Sequence, residues 1–166
     1  LAALGSVPAS MRDPMRYNHN NITGTLTLLE AARAAGVRRV IYSGSSSAYG
    51  DTPTLPKIET MSPAPRSPYA VSKLTGEYYM AVYAQSYGMQ TVTLRYFNVF
   101  GPRQNRASQY AAVIPAFVAA MLRKESPTIY GDGEQSRDFC FVDNVVHANL
   151  LAGKTDNPLL GQAVNI

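Results

Sequence analysis

An α/β fold organised on a parallel sheet is what this sequence predicts, on three observations. Val40-Ile41-Tyr42 and the stretch from Thr91 to Tyr96 are strand-like runs, and a long helical pattern lies between them. A crossover of that length brings the second strand in parallel to the first, whereas antiparallel neighbours are joined by short turns. Two helices open on a capping residue followed by proline, at Asp13-Pro14 and Ser67-Pro68, and a glycine suited to ending each follows, Gly36 and Gly88.

Taken in chain order, Asp13 caps the first helix and Pro14 sits where a missing N–H costs nothing. Ile22, Leu26, Leu29 and Ala32 share its buried face. Gly24 lies inside that helix at about 1 kcal/mol of propensity relative to alanine, which points to a close backbone contact or to a tolerated glycine. Val40-Ile41-Tyr42, a continuous apolar run, predicts a strand buried on both faces and closed by Gly44-Ser45-Ser46-Ser47. A proline-rich loop follows from Thr52 to Pro65. In the helix after Ser67, Val71, Leu74, Tyr78 and Val82 form the expected buried stripe. Val92, Leu94 and Tyr96 then alternate with Thr91, Thr93 and Arg95 as a second strand. Beyond it the patterns predict a helix from Tyr110 to Arg123, a short strand from Thr128 to Tyr130, a helix from Val142 to Ala152, and an apolar run beginning at Gln162. Gly131-Asp132-Gly133 reads as a turn, because Ser136 stands where the third glycine of a dinucleotide loop belongs. A doubly wound sheet needs more parallel strands than these and an opening βαβ unit, so the chain is expected to be part of a longer one, cut at both ends.

Composition narrows the function. With 46% hydrophobic and 16% charged residues in 166, the chain has core-forming material for one domain and is no linker. Fifteen Lys and Arg against eleven Asp and Glu give +4, which suits an anionic small molecule as well as a nucleic acid. The basic residues are dispersed and the aromatic ones lie largely on apolar faces, a poor fit to nucleic acid. Cys140 is the single cysteine, so no intrachain disulfide forms, and no Cys/His spacing implies a metal. The longest apolar run, Tyr110 to Leu122, falls short of the roughly 20 residues that span a bilayer and contains Pro115. A cytoplasmic protein with no membrane contact is expected.

In a parallel crossover the helix after a strand begins near that strand's carboxyl end, so Ser45, Tyr69 and Asn98 share the edge where ligands bind in open α/β sheets. Tyr69 and Lys73, four apart, lie on one helical face. A phenol of pKa about 10 becomes a base at neutral pH only if phenolate gains about 4 kcal/mol of preferential stabilisation. Lys73, the positive helix end and a cationic cofactor ring all push that way, and Ser45 can donate or relay a hydrogen bond. The plainer alternative pairs Lys73 with Glu77 on an exposed face, leaves Tyr69 a packed aromatic, and makes Ser45-Ser46-Ser47 a polar turn.

The ordered strings Ser45-Ser46-Ser47-Ala48-Tyr49-Gly50, Ser67-Pro68-Tyr69-Ala70-Val71-Ser72-Lys73, Leu94-Arg95-Tyr96-Phe97-Asn98-Val99-Phe100-Gly101-Pro102-Arg103-Gln104 and Gly131-Asp132-Gly133-Glu134-Gln135-Ser136-Arg137-Asp138-Phe139 cover nearly the whole chain. Together they resemble the extended short-chain dehydrogenase/reductases of the NAD-dependent epimerase/dehydratase family, and within it bacterial UDP-N-acetylglucosamine and UDP-glucose 4-epimerases. The resemblance implies the C-terminal part of a Rossmann-type doubly wound sheet over residues 1–97. Residues 98–166 would then be mostly substrate-binding subdomain, with the chain returning to the sheet.

It also implies roles. Ser45 and Tyr69 act on the sugar hydroxyl, and Lys73 holds the nicotinamide ribose of NAD and lowers the tyrosine pKa. Phe97 lines the nicotinamide, Leu1-Ala2-Ala3 passes the cofactor, and Asn21 lies close to that site. Asn98, Ala112, Val113, Thr128 and Arg137 grip the nucleotide and pyrophosphate. Arg137 suits phosphate because guanidinium donates two parallel bonds, although a surface ion pair with Asp138 or Glu134 is the alternative. Gly5 and Ser6 face the sugar or its N-acetyl group, and Ser46 and Ser47 complete the sugar pocket. Related dehydratases carry Asp-Glu at those two serines, and decarboxylases a glutamate at the second, so C4 epimerisation of a UDP-hexose through a 4-keto sugar is favoured. A related nucleotide-sugar oxidoreductase or dehydratase, or a non-catalytic dinucleotide-binding module, is the alternative. The family's habit implies a homodimer through Asp13 to Ala35 and Pro68 to Tyr87. Without the glycine-rich phosphate loop, this stretch by itself is expected to be inactive and to bind NAD poorly.

Overall fold

The computed structural model describes residues 2–104, 113–129 and 131–166. Leu1, Ala112, the expected helix start at Tyr110 and the expected strand end at Tyr130 lie outside the described residues.

Ser6 caps a short helix α1 (Val7–Arg12), which the sequence pattern did not indicate. Asp13 then accepts from the Arg16 amide and opens α2 (Pro14–Tyr17). The helix continues through a π-helical stretch (Asn18–Thr23) into α3 (Gly24–Ala34). Of the two readings of Gly24, the tolerated glycine holds: a Cβ there would meet the His19 carbonyl at 3.9 Å, an ordinary contact. The glycine marks the exit from the π-helical turn.

β1 (Arg39–Ser45) runs longer than its apolar centre, so Gly44 belongs to the strand rather than to the turn after it. A 3₁₀ turn (Ser46–Tyr49) follows, and α4 (Pro68–Tyr87) is capped by Ser67 and ended by Gly88 at φ +66. That left-handed conformation favours glycine because it has no Cβ. β2 (Gln90–Tyr96), β3 (Asn98–Phe100), α5 (Val113–Leu122), β4 (Phe139–Phe141), α6 (Val142–Lys154) and β5 (Leu160–Asn165) complete the order. β1, β2 and β5 form a parallel sheet with β2 in the middle, and β3 pairs with β4 in a small parallel sheet beside it. The expected strand at Thr128 is not formed: residues 125–129 are irregular. Gly131 and Gly133, both at positive φ, make the expected turn.

Helices cover both faces of the main sheet. On one, Leu29, Met80, Tyr83 and Met89 pack with Val40 and Tyr42. On the other, Val92, Leu94, Ala152 and Leu159 pack with Ile41 and Ala148. Leu29 and Met80 have no exposed surface, and full burial of such a side chain is worth roughly 1.5–3 kcal/mol. β1 is packed on both faces, Val40 and Tyr42 against one helix layer and Ile41 against the other, and its residues are mostly half-buried.

The buried face of α4 differs from the expected one. Leu74 is buried, but Val71, Tyr78 and Val82 are about half exposed, at 46%, 54% and 48%. The helix turns Ala70, Lys73, Glu77 and Met80 inward instead. Gly76 lets the Tyr42 ring lie against the helix, since a Cβ there would stand 2.2 Å from the Tyr42 hydroxyl. Two charged residues tolerate burial on that face because each finds a hydrogen-bond partner on the sheet. Hydropathy alone assigns them outward, and so rotates the predicted stripe to the wrong side.

Candidate active site

The site forms where β1 and β2 end and α4 begins. Ser45 is the last residue of β1, and its Oγ accepts from both the Ser47 amide (3.2 Å) and the Ser47 hydroxyl (2.9 Å). Tyr69 lies in the first turn of α4, close enough to Ser45 for the serine hydroxyl to act on its phenol. Burial pushes the Tyr69 phenol above its ordinary value, Ser45 draws it back down, and the neighbouring Tyr17 raises it slightly. Tyr17 packs edge-on to Tyr69, with centroids 6.4 Å apart.

Lys73, one turn along α4, is 8% exposed. Its ammonium donates to the Ser43 carbonyl at 2.9 Å and sits 5.2 Å over the Tyr42 ring. Burial holds its pKa below the ordinary lysine range. The plainer alternative, an ion pair with Glu77 on an exposed face, does not form: Glu77 is buried and paired with Arg95. The Lys73 ammonium is directed at β1 and a cleft of about 680 Å³, whose wall also contains Ala2, Ala3 and Asn21.

Asn21 holds the N-terminal segment in place. Its side chain accepts from the Leu4 amide (2.9 Å) and donates to the Leu4 carbonyl (3.0 Å) and to Ser72 Oγ (2.9 Å). Ser72 in turn donates to the Tyr69 carbonyl at 2.8 Å. One chain of bonds thus links the Ala2-Ala3 segment, the π-helical turn and the backbone that carries Tyr69.

The remaining predicted residues fall into a second group. Phe97 packs near Tyr49, with centroids 6.4 Å apart. Asn98 donates from both its amide and its side chain to the Asp138 carbonyl, which puts it beside Arg137. The Arg137 guanidinium is exposed and donates to the Ser136 carbonyl; among the described residues it makes no ion pair with Asp138 or Glu134. Val113 begins α5 and Thr128 lies in irregular chain, both exposed, and no described contact joins them to Asn98. Ala112 is outside the described residues. Ser6 spends its hydroxyl on the Ala9 amide as a helix cap, and Gly5 is exposed beside it.

A model of the NAD dependent epimerase/dehydratase family matches residues 1–166. The chain belongs to this family. A UDP-glucose 4-epimerase of Mycolicibacterium smegmatis is 42% identical over 154 residues, 92% of this chain and 49% of that protein. Among solved structures, a UDP-N-acetylglucosamine 4-epimerase from Methanobrevibacter ruminantium in complex with UDP-N-acetylmuramic acid is 49% identical, with a TM-score of 0.95 over 100% of this chain and 53% of that one. A UDP-glucuronic acid 4-epimerase from Bacillus cereus in complex with UDP-glucuronic acid and NAD is 36% identical, with a TM-score of 0.90 over 100% of this chain and 52% of that one. The chain spans about half the length of the relatives it matches. The parallel α/β architecture is thus that of the family's Rossmann-type structures.

Several residues packed around the candidate site escaped the sequence reading. Arg95 and Tyr49 are buried beneath the sheet edge, where Arg95 donates to the Tyr49 hydroxyl (2.7 Å) and that hydroxyl donates to Asn165 (2.7 Å). Tyr42 supplies the ring under Lys73, and Tyr17 the edge against Tyr69. Spacing held one clue: Tyr69, Lys73 and Glu77 recur every four residues, so all three share the face that the sheet buries.

Proposed function

We propose that the intact protein carrying this chain inverts C4 of a UDP-hexose, UDP-glucose or UDP-N-acetylglucosamine, through a 4-keto sugar with NAD as cofactor. The observation that carries this is the placement of Ser45 at the end of β1 and Tyr69 in the first turn of α4, with the buried Lys73 side chain on the wall of the adjoining cleft. The residues present fit the cofactor. An ammonium has three donors, Lys73 gives one to Ser43, and the others are left for ribose hydroxyls beside the small side chains of Ala2 and Ala3. Asn21 holds that segment, and Phe97, just after β2, would line the nicotinamide. When bound, NAD supplies a hydride acceptor that gives the hydride back.

The chain's own residues manage the proton. Tyr69 as phenolate takes the C4 hydroxyl proton and later returns it. Ser45 donates to the phenolate, and it is poised to do so because both bonds it receives come from Ser47, leaving its own hydrogen free. Tyr69 stands in the first turn of α4, where the positive helix end favours a negative charge. Neither Ser46 nor Ser47 offers a carboxylate for elimination or decarboxylation. Asn98, Arg137, Ala112, Val113 and Thr128 anchor the nucleotide, while Gly5, Ser6, Ser46 and Ser47 surround the sugar loosely enough for the ketone to turn over. Residues 1–97 serve the cofactor and 98–166 mainly the substrate, with β5 rejoining the main sheet. Two copies pair through Asp13 to Ala35 and Pro68 to Tyr87; the half-exposed Val71, Tyr78 and Val82 support that contact. Among the described residues no helix is long and apolar enough to cross a membrane.

Tyr69→Phe in the intact protein tests the proposal. C4 inversion of UDP-glucose and UDP-N-acetylglucosamine, followed by NMR, is expected to disappear with the thermal melt unchanged; full turnover by the variant overturns the assignment.

A further inference from the structure

Lysine and glutamate four residues apart on a helix ordinarily pair with each other. Lys73 and Glu77 have that spacing, and both are 8% exposed, in surroundings where opposite charges attract more strongly than in water. They are nevertheless not partners. The Glu77 carboxylate is held by Arg95 of β2, whose Nε donates to Oε2 at 2.9 Å and whose Nη2 donates to Oε1 at 2.5 Å. A fork of this kind engages both carboxylate oxygens at once, which a single ammonium cannot match. Arg95 is 3% exposed and is itself fixed by its bond to the Tyr49 hydroxyl, with its guanidinium 4.8 Å over the Tyr49 ring. Lys73 turns instead to the Ser43 carbonyl and the Tyr42 ring, on the cleft side.

We propose that Arg95 is a positioning residue that keeps the Glu77 carboxylate off Lys73, so that the ammonium stays directed at Ser43 and the cofactor cleft. Arg95 touches neither substrate nor cofactor in this scheme; it acts through Glu77 on Lys73. The inference rests on the proposed function for its catalytic consequence, but not for its structural one. With Arg95 shortened or made neutral, Glu77 is left as a buried carboxylate whose nearest cation on its own helix is Lys73. The ammonium then swings one turn along α4, leaves Ser43, and no longer serves the cleft.

Two readouts on the intact protein separate the claims. The first needs no cofactor: the Lys73 ammonium is titrated by NMR in wild type, Arg95→Met, Arg95→Lys and Arg95→Met/Glu77→Gln. The groups around it are Tyr42 of β1, Tyr69 and Glu77 of α4, Arg95 of β2, and His19 on the cleft wall. Arg95→Met is expected to raise the Lys73 pKa by about one unit or more, because a carboxylate replaces a carbonyl as partner. Arg95→Lys moves it less in the same direction, and the double variant returns it to the wild-type value. The second readout is NAD⁺ affinity, expected to fall on the order of tenfold in Arg95→Met, the worth of one charge-assisted hydrogen bond, and to recover in the double variant.

An unmoved Lys73 titration in Arg95→Met overturns the proposal, as does a raised pKa that Glu77→Gln fails to reverse. If Arg95→Met does not fold, Arg95→Lys decides by the same titration. A shifted and rescued Lys73 in a protein that binds no NAD⁺ upholds the role of Arg95 and refutes the proposed function instead.

Discussion

Removing the Asn21 side chain tests whether the bond chain beneath the site does what its geometry indicates. Asn21 is 2% exposed and makes three hydrogen bonds that Asn21→Ala deletes: two to the Leu4 backbone and one to Ser72. At roughly 0.5–1.5 kcal/mol net for each, the loss sums to about 3 kcal/mol. The Leu4 amide and carbonyl are only part-buried and recover some water, so the upper end of that range is not reached. Ser72 keeps its bond to the Tyr69 carbonyl, so α4 itself stays intact. For a chain of this size each kcal/mol lowers Tm by about 2–4 °C, which puts the expected drop at roughly 6–12 °C. Thermal unfolding followed by circular dichroism measures it, and hydrogen exchange at the Leu4 amide reports whether the N-terminal segment has come loose. A loss below about 1 kcal/mol with Leu4 protection unchanged refutes the reasoning, because three satisfied bonds on a buried amide would then contribute nothing.

Three further outcomes follow from the packing and charges. Gly76→Ala forces a methyl toward the Tyr42 hydroxyl 2.2 Å away and is expected to cost about 1–3 kcal/mol, read as a lower urea midpoint; a small change there means the ring has room to move. Glu30 is held down to about 2, from 4.5, chiefly by its bond to Arg33 and then by Tyr83. A depressed carboxyl contributes stability that is full above pH 4.5 and lost as pH falls toward 2, so urea midpoints across that window should drop more steeply in wild type than in Glu30→Gln. Parallel curves would show that the pair survives in the unfolded chain. Val82→Glu, on the half-exposed face of α4, is expected to convert the proposed dimer of the intact protein to monomer by sedimentation velocity, and an unchanged mass puts the contact elsewhere.

Sequence and tertiary structure divided the information along a physical line. Whatever depends on neighbours within a few residues was legible: the caps at Asp13 and Ser67 and the helix-ending Gly88; the parallel crossover was legible too, because the length of the connection and the order strand, helix, strand fix it. Side-chain oxygens cap nearby amides, and left-handed backbone favours glycine, whatever the rest of the chain does. The inward face of α4 was not legible. A helix buries a lysine and a glutamate only if partners arrive from elsewhere, and those partners, Ser43 and Arg95, come from strands 30 and 18 residues away. The three-residue strands β3 and β4 escaped for a similar reason: they are too short to show a period, and each exists because the other lies beside it. Long-range packing chose which of the two cations on α4 and β2 would take the carboxylate and which would line the cleft.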